Sequence, residues 1–198
     1  MKRIYLILVI GVLFLSCRKI NPMDRTVFIP DENDPDLPAY TEWGYNAFGA
    51  EYGRYDYFVS NEKQYPCRIK YSQDNKLHFS LCGKIKNTYE NMDLTFIFDM
   101  PPMSDYKDLM LIPQNKEINL LDSTCRVEIL RFDRVDTTLN LQIGTLNFKR
   151  IQMLSIDEKE DRIILSGVFD LKFKDKDDYS VYISNGRFDV GVTKKDFN

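Results

Sequence analysis

Apolar and polar side chains alternate through much of this chain. Leu94, Phe96, Phe98 and Met100 are interleaved with Asp93, Thr95, Ile97 and Asp99. Ile163, Leu165 and Gly167 alternate with Arg162, Ile164 and Ser166, and Phe169, Leu171 and Phe173 with Asp170, Lys172 and Lys174. A repeat of two sends successive side chains to opposite faces of a strand, so these segments predict half-buried strands of an antiparallel sheet. Polar clusters punctuate them as hairpin turns: Gln73-Asp74-Asn75-Lys76, Asp157-Glu158-Lys159-Glu160-Asp161, Lys174-Asp175-Lys176-Asp177-Asp178 and Asn185-Gly186. The last would separate Val181 and Ile183 from Phe188, Val190 and Val192. One helical turn is predicted, from Ser104 to Leu109, with Ser104 as its cap. The expected fold is all-β, an antiparallel β-sandwich or barrel-like domain over residues 40–198.

The preceding segment has a different pattern. Residues 18–39 carry Pro22, Pro30, Pro35 and Pro38 and the acidic run Asp31-Glu32-Asn33-Asp34-Pro35-Asp36. Such proline spacing forbids helix and the acids repel one another, so residues 17–39 are expected to be a tether. The run lacks the glycine and the final glutamate of a calcium loop. Before it, Lys2 and Arg3 precede an uncharged stretch from Ile4 to Leu15. As helix that stretch spans about 18 Å, short of the roughly 30 Å hydrocarbon layer, so residues 1–16 predict a cleaved signal peptide. The stretch ends Phe14-Leu15-Ser16-Cys17, which resembles a bacterial lipobox with Phe where Leu is usual. That resemblance implies cleavage before Cys17 and lipid on its sulfur. Surface-exported lipoproteins of Bacteroidetes commonly have acids directly after this cysteine, whereas Arg18 and Lys19 stand here, which tilts the expected address to the periplasmic face.

The 198 residues hold 27 Lys and Arg against 30 Asp and Glu, and loss of Lys2 and Arg3 with the leader takes the formal charge from −3 to −5. That balance gives no electrostatic footprint for nucleic acid. With Cys17 assigned to lipid, Cys67, Cys82 and Cys125 remain. Cys67 and Cys82 bracket the turn at Asp74-Asn75, and one register would place them opposite each other for a disulfide. The alternative, slipped by one residue, pairs Ile69 with Phe79 and Tyr71 with Leu77 and sends the two cysteines to opposite faces. Burial favours the slipped register, and with it free buried thiols. No cysteine pair has zinc-knuckle spacing, and neither metal nor cofactor is expected.

Nucleophile elbow, phosphate loop and dinucleotide fingerprint are all missing, and His78, the single histidine, reads as an exposed strand residue. The densest chemistry lies in residues 40–58, where Tyr40, Trp43, Tyr45, Phe48, Tyr52, Tyr55, Tyr57 and Phe58 fall within nineteen residues. Phe48, Ala50 and Tyr52 alternate as one core-facing strand and Tyr55 and Tyr57 as another, which makes core packing the leading explanation. Trp43, Tyr52 and Tyr55 are the candidate ligand-binding residues if some of these rings face solvent, where they would stack on sugars.

Asn46-Ala47-Phe48-Gly49-Ala50, Ser166-Gly167-Val168-Phe169 and Gly186-Arg187-Phe188-Asp189 together resemble the small uncharacterised lipoproteins of Bacteroidetes, which open with N-x-F-G-x and close with S-G-x-F and G-R-F-D. The sequence departs from them at Glu51-Tyr52-Gly53-Arg54, where a V-N-G turn is typical. The resemblance implies an all-β secreted domain on a lipid anchor and carries over no catalytic residues. Arg187 and Asp189 share the outer face of their strand and are expected to form a structural charge pair.

The expected function is that of a non-enzymatic cell-envelope lipoprotein for binding or assembly, held to the membrane through its lipid, with a glycan or an envelope protein as partner. A carbohydrate-binding accessory protein using residues 40–58 is the alternative, and a hydrolase with a carboxylate pair the second. These three predict, in order, no cleft, a shallow aromatic face, and a deep pocket with two perturbed carboxylates. Cys17→Ala is expected to abolish metabolic labelling with palmitate and to release the protein from the membrane fraction on cell lysis. Retention on the membrane without label would contradict the lipobox reading.

Overall fold

A computed structural model describes residues 25–59, 66–86, 88, 90–131, 137–155 and 161–197. The signal peptide, Cys17, residues 18–24 of the expected tether and residues 157–160 of the expected turn lie outside the described residues. The chain is nearly all antiparallel sheet, curled into a half-barrel. This is the barrel-like form of the expected all-β fold, built from one sheet and not from two stacked ones.

Eleven strands are described: β1 (Ala47–Tyr52), β2 (Tyr55–Phe58), β3 (Cys67–Tyr71), β4 (Lys76–Ile85), β5 (Asn91–Asp99), β6 (Glu117–Asn119), β7 (Arg126–Arg131), β8 (Thr137–Thr138), β9 (Asn140–Leu154), β10 (Arg162–Lys174) and β11 (Ser180–Val192). Their order across the sheet is β6-β9-β10-β11-β1-β2-β4-β5-β7-β8, with β3 also paired to β4. Only Leu139 separates β8, on one margin, from β9 near the other. The chain itself thus bridges the margins at that end. Elsewhere residues 101–125 fill the gap, burying Tyr106, Leu109, Ile112 and Leu120.

The inward face carries the alternating residues. Leu94, Phe96, Phe98, Ile163, Leu165, Phe169, Leu171, Phe188 and Val190 are all buried. Phe79 is central: its ring lies 5.0 Å from Phe188, 5.5 Å from Phe148 and 6.1 Å from Phe96. Such contacts contribute about 0.5–1.5 kcal/mol each beyond area burial. Tyr57, fully buried, donates its hydroxyl to the carbonyls of Leu81 and Met92, so its polar atom stays satisfied.

The register of β3 on β4 sets Ile69 opposite Phe79 and Tyr71 opposite Leu77, the slipped arrangement that burial favours. Cys67 and Cys82 are free and buried. Burial pushes both thiols up, Cys82 to about 12 with help from the neighbouring Asp93 carboxylate.

Four expectations need correction. First, Asn185-Gly186 is no hairpin turn: β11 runs through it. Between Phe169 and Leu171 on β10, β11 advances from Gly186 to Ile183, one residue more, and β1 shows the same shift between Gly49 and Glu51. Asn185, at φ +53°, is therefore in a bulge, and its N–H donates to the Asp170 carboxylate at 3.0 Å. A Cβ on Gly186 would stand 2.5 Å from the Phe169 carbonyl oxygen, so close approach explains the glycine. Second, Ser104 does not cap the helical turn. The 3-10 turn covers Tyr106–Leu111 with Asp105 as its cap, and Ser104 donates to Asp108.

Third, residues 25–39 are no solvated tether; with residues 40–46 they form an arm strapped to the outer face of β10, β11 and β1. Leu37 is fully buried, Pro38 packs on Gly49, and Gly44 lies on Ile164. Asp31 takes the N–H groups of Asn33 and Asp34 and pairs with Arg187 at 2.6 Å, which holds its carboxyl below the usual range. Proline and acid density excluded helix correctly but did not exclude packing.

Fourth, Arg187 therefore does not pair with Asp189. Asp189, 2% exposed, receives five donors: the Thr41 hydroxyl at 2.5 Å, the N–H groups of Trp43, Gly44 and Tyr45 at 3.1, 2.8 and 3.2 Å, and the Ser166 hydroxyl at 2.8 Å. Asp189→Ala is expected to destabilise the fold by at least about 3 kcal/mol in urea unfolding, since buried donors left unpaired cost about 1–3 kcal/mol each. A loss below about 1 kcal/mol would show that water replaces the carboxylate freely.

Candidate functional site

The structure divides the three candidate ligand residues. Trp43 is 69% exposed and sits in the arm, ahead of β1. Tyr52 ends β1, about 17 Å along the strand from Ala47. Tyr55 opens β2 directly opposite Tyr52, across a turn at Gly53, whose φ of +62° suits glycine. So Tyr52 and Tyr55 come together, and Trp43 does not join them.

Against the expectation of no cleft for the leading reading, Tyr52 borders a cavity of about 660 Å³ at the seam where β8 passes into β9. Its apolar wall comes from Ile129 on β7, Leu139 in the seam, Phe173 on β10 and Val181 on β11. These side chains face inward by strand alternation, and the cavity lies where the chain crosses from one sheet margin to the other. The polar rim follows from strand ends. Arg131 closes β7, Lys174 closes β10, and Asp175 and Lys176 begin the turn into β11.

Electrostatics at the rim favour an anion. The Arg131 guanidinium lies over the Tyr52 ring, 5.1 Å from its centroid, and donates to the Tyr52 hydroxyl. Among the described residues of the lining Asp175 is the one carboxylate, and it is occupied by the N–H groups of Asp177 and Tyr179, each at 2.9 Å, as the anchor of its own turn. No carboxylate pair lines this cavity among the described residues. Lys174 turns toward Asp178, itself largely in water, at 3.4 Å. Arg131 and Lys176 line the opening from opposite sides of the seam.

A second cavity of about 390 Å³ lies on the outer face, among Lys70, Ser72, Asp74, Lys76, His78, Cys125 and Arg126. His78 is half-buried here and not fully exposed as expected; desolvation and Lys70 push its imidazole down. Asp74, Ser72 and His78 form a line, but in an order unsuited to a serine nucleophile. The Ser72 hydroxyl makes its shortest contact with the Asp74 carboxylate, while His78 Nε2 is 3.3 Å away. The hydroxyl proton goes to the carboxylate, so Nε2 is the donor to Ser72. Of the three cations there, Lys76 pairs with Asp99 at 2.5 Å and Arg126 with Glu128 at 2.8 Å. Among the described residues no group of three His, Cys, Asp or Glu could hold a metal ion, and no helix is long and apolar enough to cross a membrane.

Sequence reasoning found Tyr52 but missed Arg131, Leu139 and Lys176. Arg131 and Lys176 fall at strand ends, and nothing in local pattern tells which ends of a sheet will meet once it curls. No family model, curated protein or solved structure matches the chain.

Burial raises the Tyr52 phenol above its usual range, while Arg131 opposes that shift. The tyrosinate absorbance step that disappears in Tyr52→Phe is expected above pH 10, and Arg131→Ala is expected to move it higher still. A step at or below pH 10 would contradict the packed arrangement.

Proposed function

We propose that this protein is a lipid-anchored, non-enzymatic binding module of the bacterial cell envelope, and that its half-barrel takes an amphiphile with an apolar body and an anionic end. The observation that carries this reading is the cavity of about 660 Å³ with aliphatic and aromatic walls and Arg131, Lys174 and Lys176 at its rim. Its size falls in the range of about 300–1,000 Å³ common for small-molecule sites. Apolar walls supply affinity through released water, and a cationic rim sets which end of the ligand faces out.

The leader and the Phe14-Leu15-Ser16-Cys17 sequence support the address. The described chain begins at Arg25, whose carbonyl accepts from Asn46 beside the start of β1, whereas the cavity lies at the far end of that strand. A protein anchored at the first end would present its cavity away from the membrane. A sugar-binding role would have to rest on Tyr52 and Tyr55 without Trp43, and is the weaker alternative.

The test is a titration of the chain from Arg18 to Asn198, free of detergent, with dodecanoate and with the uncharged dodecanol. Dodecanoate is expected to bind in one-to-one ratio and more tightly. Leu139→Trp, which fills the seam, is expected to abolish binding of both. Arg131→Ala with Lys176→Ala is expected to weaken dodecanoate alone, by about tenfold, the equivalent of 1.4 kcal/mol. Equal binding by wild type and Leu139→Trp would refute this site.

A further inference from the structure

The arm presents apolar side chains that neither the core nor the cavity uses. Val27, Phe28 and Ile29 are consecutive and 43%, 40% and 41% exposed; Tyr40 is 37% and Trp43 69% exposed. They belong to one ribbon pair. The Val27 N–H donates to the Tyr45 carbonyl at 2.8 Å and the Ala39 N–H to the Ile29 carbonyl at 2.6 Å, so residues 27–29 run beside residues 39–45. The ribbon is mounted firmly, because the Trp43, Gly44 and Tyr45 N–H groups end on the buried Asp189 carboxylate. Single exposed apolar residues need no explanation, but five along one fixed ribbon do.

We propose that this arm is the protein's seat on the bilayer, with Trp43, Tyr40 and the 27–29 side chains resting in the boundary between headgroups and acyl chains. The inference rests on the lipid-anchor reading, since reach identifies the occupant. Seven residues separate Cys17 from Arg25, and the eight steps between them span at most about 28 Å even fully extended. Arg25 lies only two residues from Val27, and its carbonyl is held by Asn46. A lipid on Cys17 therefore keeps the membrane within reach of this ribbon before any other part of the fold. The chemistry agrees. Trp and Tyr carry an apolar ring with a polar tip, which suits the interfacial layer, and the neighbouring branched and aromatic side chains suit the region just beneath it. Asp31, Glu32, Asp34 and Asp36 border the ribbon and Glu42 lies within it, accepting from the Tyr40 hydroxyl at 2.9 Å, so the seat fits zwitterionic headgroups and is not drawn by anionic lipid.

Trp43 is the single tryptophan of the chain and reports its own surroundings. The mature protein would be reconstituted in phosphatidylcholine vesicles with or without brominated acyl chains, and Cys17 acylation checked by palmitate labelling of the same preparation. Bromine is expected to remove about half of the Trp43 emission, as for an interfacial ring, and Val27→Ser with Ile29→Ser is expected to reverse most of that loss. Emission unaffected by bromine and open to iodide, in labelled protein, would overturn the seat and leave the anchor standing. If no label is found, the anchor reading fails, and the same emission is read on the chain with vesicles added: bromine quenching keeps the seat, its absence removes it. Shielding that grows with protein concentration and ignores bromine would put a second copy on the ribbon and overturn the proposal.

Discussion

One carboxylate fixes the relation between the arm and the sheet. Asp189 is buried, yet it is answered by five donors from the arm and from β10, three of them backbone N–H groups that no strand could satisfy. A buried charge is tolerated only when its lone pairs are filled, and loop N–H groups in the interior need acceptors for the same reason. Each requirement meets the other here. Leu37 then reaches a buried position, Pro38 comes to rest on Gly49, and Arg187 is left free to pair with Asp31.

The three short sequence motifs acquire a physical meaning from this arrangement. Ser166 stands opposite Asp189, Gly167 opposite Phe188 and Phe169 opposite Gly186, while Phe48 faces Phe188 from the other side. The motifs are thus three adjacent stretches of β10, β11 and β1, read side by side. Their outward members hold the arm, and their inward members, Phe48, Phe169 and Phe188, belong to the aromatic core.

Much of the fold was legible because alternation is a local consequence of strand geometry. Leu94, Phe96 and Phe98 declared the inner face of β5, and the apolar pairing of Ile69 with Phe79 chose the register of β3 correctly against the cysteines. What stayed hidden depends on contacts distant in sequence. Asn185-Gly186 has the composition of a turn, and only the length of β10 and β1 beside it requires a bulge. The arm looked like a linker because prolines and acids reveal what a segment cannot form, not what it packs against. The cavity was the least visible feature. Its wall joins residues from β1, β7, β10 and β11 with the Leu139 seam, and strand ends meet according to how the sheet curls.

The described fold places the arm at one end of β1 and the cavity at the other. The claim on which this view turns is that the cavity is a ligand site. A crystal structure of the chain from Arg18 to Asn198 grown with dodecanoate tests it most directly. The expected result is one alkyl chain against Ile129, Leu139, Phe173 and Val181 with its carboxylate toward Arg131 and Lys176. An empty cavity, with the alkyl chain bound elsewhere or not at all, would contradict it.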